Sequence, residues 1–108
     1  MAINLDADKL YYKLTQAGDD WAEKQAAYNV LEDTKNAVLS KLMLNSKAPS
    51  VAAKEIEAKA SDEYTGHVEK TQEAMKAALK AKVNYEAIKI WIDLKRTEAA
   101  NERVLAKL

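Results

Sequence analysis

Val83-Asn84-Tyr85-Glu86-Ala87-Ile88-Lys89-Ile90-Trp91-Ile92-Asp93-Leu94 is the stretch of this 108-residue chain whose reading decides the fold. On a helical wheel at about 100° per residue, Tyr85, Ile88 and Ile92 fall on one side. Val83, Ala87, Ile90, Trp91 and Leu94 spread over the opposite side. Only Lys82, Glu86, Lys89, Asp93 and Arg96 keep a narrow polar strip between them. A surface helix of a globular domain normally carries a single apolar stripe. A helix apolar over most of its circumference needs cover from two directions, either in a three-helix core or at a subunit interface.

Composition points to long helices. Two Gly, one Pro and no Phe stand against many Ala, Lys, Glu and Leu, whereas strands favour β-branched and aromatic runs. The size suits one domain, residues 1–108. Cysteine is absent, which removes disulfides, thiolate metal sites and cysteine nucleophiles and fits a reducing cytosol. The start lacks the basic and apolar regions of a signal peptide, and no apolar run reaches the roughly 18 residues of a membrane span. The expectation is a cytoplasmic protein with no membrane partner.

Lys plus Arg equals Asp plus Glu at 17 each, yet the charge is uneven. Residues 1–44 hold seven acids and five bases, 45–68 four and three, and 69–108 six and nine. Such asymmetry lets subunits dock head to tail or gives the C-terminal part a weak preference for anions. A DNA mimic would be acidic throughout.

Outward from the opening stretch, the chain reads as a long antiparallel helical hairpin. Residues 1–5 are a lead-in, and Asp6 can cap a first helix over about 6–44. Leu10, Leu14, Ala17, Trp21, Tyr28, Leu31, Val38 and Leu42 hold one heptad frame, with Lys24 and Lys35 at interrupting seam positions. Gly18 costs about 1 kcal/mol relative to Ala and permits close approach by another backbone beside Trp21. Residues 45–50, with Pro49 and Ser50, form the loop. A second helix over about 51–107 turns Ala53, Ile56, Ala60, Tyr64, His67, Val68, Thr71, Met75, Ala78 and Leu79 inward. Thr65-Gly66 is the place for a kink or break.

The two helices are unequal, about 57 Å against about 85 Å at 1.5 Å per residue. Cover for the second should run out near Lys89, leaving Ile90, Trp91, Ile92, Leu94, Val104 and Leu105 overhanging. That overhang predicts a homo-oligomer whose interface holds Val83, Ala87, Ile90, Trp91 and Leu94. The alternative is a tail bent back as a third helix. Tyr11 and Tyr12 are placed to pack beneath the overhang.

No catalytic set emerges. His67, the single histidine, has no companion ligands at metal-binding spacing and reads as structural. The pairs Asp19/Asp20, Glu32/Asp33 and Asp62/Glu63 are adjacent, diverge on a helix and read as solvated face. There is no Gly-rich phosphate loop and no Ser/His/Asp arrangement, so neither an enzyme, a cofactor nor a small-molecule substrate is expected. Lys82, Lys89, Arg96 and Arg103 recur every seven residues, with Lys107 continuing the row. Glu86 and Asp93 lie four residues after the first two and should neutralise them as a salt-bridge ladder. Arg96, Arg103 and Lys107, with Lys89 behind them, are the candidate nucleic-acid contacts.

Asp20-Trp21-Ala22-Glu23, Lys41-Leu42-Met43-Leu44 and the 85–94 segment together resemble small helical proteins of tailed-phage recombination and replication modules. The layout is loosely similar to phage recombination mediators, helical oligomers that help load a recombinase onto coated single-stranded DNA. The resemblance implies an oligomeric accessory protein acting on single-stranded DNA, or on a single-strand-binding or recombinase protein. The other expectation is a purely protein-binding factor, such as a phage inhibitor of a host defence complex or a structural coiled-coil component.

Overall fold

The computed structural model describes residues 6–108, and these form three helices: α1, Ala7–Asn45; α2, Val51–Lys59; and α3, Asp62–Ala106. The chain is all-α, with no strand among the described residues. The lead-in expected at 1–5 lies outside the described residues.

Helix α1 begins where Asp6 caps it. The Asp6 carboxylate accepts from the Lys9 amide at 3.2 Å and its carbonyl from the Leu10 amide at 3.0 Å. The expected heptad frame is the inward face: Ala17 is buried, and Leu10, Leu14, Trp21, Tyr28, Leu31, Val38 and Leu42 are half-buried. Lys24 and Lys35 are half-buried too, which long aliphatic stems tolerate.

In the loop, the Ser46 hydroxyl donates to Glu57 Oε2 at 2.9 Å. Ser50 caps α2 by accepting from the Ala53 amide at 3.1 Å. The single second helix expected over 51–107 is instead two. It breaks at Ala60–Ser61, not at Gly66, which lies inside α3 with no positive φ. Ser61 makes the break. Its hydroxyl donates to the last-turn carbonyl of Ala58 at 2.6 Å and accepts from the Tyr64 amide at 3.2 Å. One side chain thus closes α2 and caps α3, and Asp62 and Glu63 add negative charge at the positive end of α3. The break resets the helical phase. Ile56 and Ala60, expected inward, are exposed, and Ala58 is buried in their stead.

Residues Lys24–Ala78 form one compact unit. Within it α1 and α3 meet through a polar centre: His67 Nε2 lies 2.8 Å from the Leu31 carbonyl and donates to it. Thr71, buried, satisfies its hydroxyl on the His67 carbonyl at 2.8 Å. His67 is therefore a structural tie between helices. Met75, expected inward, is 40% exposed.

The chain through Glu23 and the segment Leu79–Leu108 form the other unit. Trp21 and Tyr85 meet with ring centroids 5.5 Å apart and planes tilted by 40°. The Lys82 amine lies 6.0 Å over the Trp21 ring and the Lys13 amine 5.5 Å over Trp91. Trp21 Nε1 is buried without a hydrogen-bond partner among the described residues. The close approach at Gly18 is to the Tyr85 ring, where an added Cβ would lie 3.5 Å from Cε2, and not to a backbone.

Cover also reaches further along α3 than expected. A straight fold-back about the 45–50 loop would set Trp21 near residue 74, yet it stacks on Tyr85. Ala7, Leu10, Tyr11 and Leu14 line a groove with Ile92 and Arg96, and Ile92 is buried, not overhanging. Trp91, shielded on one side by Lys13, is not in an overhang either. Helix α3 continues to Ala106 without bending back.

Candidate self-association surface

Helix α3 carries two apolar rows. From Ala81 the inner row steps by three and four through Tyr85, Ile88, Ile92, Lys95 and Ala99, all buried or half-buried. The outer row steps likewise through Val83, Ala87, Ile90, Leu94, Thr97, Asn101 and Val104, all exposed, and Leu108, also exposed, keeps the spacing just beyond the helix end. Two residues separate the rows, about 200° around a helix, so they lie on opposite faces. Val83 is 64%, Ile90 61%, Leu94 57% and Val104 60% exposed. Surface apolar residues scattered singly need no explanation, but a heptad-spaced row of them is the surface a coiled-coil partner covers.

The rest of the unit offers little competing interior. Among the described residues its buried apolar side chains are Ala17, Ala81 and Ile92, small but for the last. Trp91, 42% exposed, and Leu105, 69% exposed, stand along one edge of the outer row and widen it. Thr97 satisfies its hydroxyl on the Asp93 carbonyl at 3.0 Å, while the Asn101 side chain has no internal partner among the described residues.

Lys89, Arg96 and Arg103 are exposed and aligned by their seven-residue spacing, and Lys107 follows just beyond the end of α3. The expected ladder is absent among the described residues: Lys82–Glu86 and Lys89–Asp93 do not pair. The ion pairs present include Glu55–Lys59 at 2.8 Å and Lys95–Glu98 at 3.2 Å. Lys82 lies over Trp21 instead. An exposed Lys–Asp pair gains little over two hydrated ions, so Lys89 stays solvated. Arg96 borders the groove of about 330 Å³ formed with Ala7, Leu10, Tyr11, Leu14 and Ile92. Tyr11 and Tyr12 remain 73% and 64% exposed.

Glu55, in α2, holds the exposed Lys59 amine above the usual lysine value, by hydrogen bond and then by charge. No group of three or more His, Asp or Glu side chains able to hold a metal occurs among the described residues, and none of their helices is long and apolar enough to cross a membrane. No family model, curated protein or solved structure matches the chain.

The sequence reading includes Val104 and Leu105 among the overhanging residues but not Thr97 and Asn101, the two polar residues that interrupt the apolar pattern between Leu94 and Val104.

Proposed function

We propose that this chain is a non-enzymatic, self-associating accessory protein that uses the outer row of α3 to assemble. In the assembly several copies of the Lys89, Arg96, Arg103 and Lys107 row are presented together. It acts in the cytoplasm, the host's if the chain is phage-encoded, on single-stranded DNA or a protein bound to it, as its resemblance to phage recombination and replication proteins implies. The observation that carries the reading is the exposed heptad row lying opposite the face that packs on α1. One row of three or four cations binds a phosphate backbone weakly, and linking rows in one particle multiplies that affinity without new contacts.

Fluorescence anisotropy with a labelled single-stranded oligonucleotide tests the DNA contact. Binding should weaken steeply as salt rises, and Arg96→Gln/Arg103→Gln should flatten that dependence. No binding at low salt removes the DNA contact. The zero net formal charge favours a second reading, a helical factor that binds only protein. That reading predicts association unaffected by the arginine substitutions and no response to oligonucleotide.

A further inference from the structure

The outer row also specifies what kind of assembly covers it. Resting on the self-association proposed above, we infer that Val83–Val104 packs with other copies of this chain as a parallel, in-register bundle of more than two α3 helices.

The first argument is the sorting of side-chain shapes. Written as a heptad, the row places Val83, Ile90, Thr97 and Val104 at d, and Ala87, Leu94 and Asn101 at a, with Leu108 on the a spacing just past the helix end. Every d residue is β-branched and no a residue is. Two-stranded parallel coils favour the reverse, β-branched a with Leu at d; Leu at a with a β-branched d shifts the preference to three or four strands. The edge agrees. Trp91 and Leu105 occupy e positions, which a two-stranded coil leaves wet and a wider bundle covers, and both are exposed in the single chain.

Orientation follows from the two polar residues. In a parallel, in-register bundle each layer meets itself, so Asn101 faces Asn101 and Thr97 faces Thr97. An antiparallel pairing that covers the whole row sets Asn101 against Ile90 and Thr97 against Leu94, leaving buried amides without partners. An antiparallel overlap shifted to match Asn101 with Thr97 leaves Val83 and Ala87 uncovered. One feature opposes the parallel choice, since it brings Asp93 near Glu98 of the neighbouring copy. Glu98 shares the e edge with Trp91 and Leu105, but its carboxylate is already held by its own Lys95 at 3.2 Å, and a like-charge contact offset in that way weighs less than buried unpaired amides.

The chain lacks cysteine, so single cysteines report without background. Light scattering of the full chain should give three to four times its 12.0 kDa mass. Ala87→Cys should then cross-link to itself under mild oxidation, because parallel packing brings the two Cβ atoms within disulfide reach. Antiparallel packing over the full row would hold them about 26 Å apart and instead join Ala87→Cys to Val104→Cys in a mixture. That mixed product, or a dimer mass, overturns the parallel bundle while leaving self-association standing. A monomer at every concentration overturns both. The exchange Ile90→Leu/Leu94→Ile should lower the mass towards two chains, and an unchanged mass would refute the role given to side-chain branching.

Discussion

Replacing Gly66 with alanine should stabilise the protein, although sequence reasoning marks that glycine as the place where a helix bends or breaks. Gly66 lies inside α3 with no positive φ, and a Cβ added there meets nothing within 4 Å. Neither strain nor a clash opposes the substitution, so the difference in helix propensity remains, about 1 kcal/mol in favour of alanine. For a chain of 108 residues, unfolding entropy at roughly 2.1 cal/mol/K per residue converts that into a rise of about 4 °C in Tm. Circular dichroism at 222 nm, on both proteins at one matched concentration, reads the shift, and matching matters because the proposed assembly would couple Tm to concentration. An unchanged or lower Tm would show that the backbone at Gly66 is not helical, and the placement of the break at Ser61 would fall with it.

Ser61→Ala should act in the opposite sense, losing the shared cap for about 1 kcal/mol, a Tm drop comparable to the Gly66→Ala gain. Gly18→Ala should also stabilise by about 1 kcal/mol, because its new Cβ would touch Tyr85 Cε2 at 3.5 Å, an ordinary contact, and a fall in Tm would refute that geometry. Ile90→Ser/Leu94→Ser removes two side chains about 60% exposed in the single chain; full burial of such groups is worth about 1.5–3 kcal/mol, so each should weaken assembly by about 1–2 kcal/mol per copy. Light scattering should then show dissociation at concentrations where the parent stays assembled, with the helical signal kept in the monomer. By NMR, Lys59 should titrate above the ordinary lysine value and fall back in Glu55→Gln. The sign follows from the raised value: the pair's contribution is complete below the ordinary lysine pKa and disappears as pH climbs past the raised one.

The first helix was legible because nothing in it competes with its heptad. Leu10 through Leu42 recur without a breaker stronger than Gly18, and even the interrupting Lys24 and Lys35 sit inward as the frame requires. The second limb was not, for a local reason. Attention goes to Gly66, but one glycine costs a helix only about 1 kcal/mol, which 45 residues of α3 absorb. The stronger signal is Ser61-Asp62-Glu63, a cap followed by two acids, whose alternative hydrogen bonds redirect the chain without any Gly or Pro. That break takes Ile56 off the inward face, and Ile92, expected in an overhang, is buried. For the candidate surface, the wheel separated Tyr85, Ile88 and Ile92 from Val83, Ala87, Ile90, Trp91 and Leu94 as the structure does. Which of its lysines would pair was not legible, because exposed charges choose among hydration, carboxylates and aromatic faces by margins smaller than a pattern records.

The two tryptophans make two optical probes of different events. Trp21 has its indole nitrogen buried against Tyr85, while Trp91 stands 42% exposed at the edge of the outer row. In Trp91→Phe the remaining emission follows the packing of α1 on α3 and shifts when the chain unfolds. In Trp21→Phe it follows the environment beside the outer row, and should move to shorter wavelength as copies associate. Folding and the proposed assembly can thus be timed separately in one molecule, without an added dye.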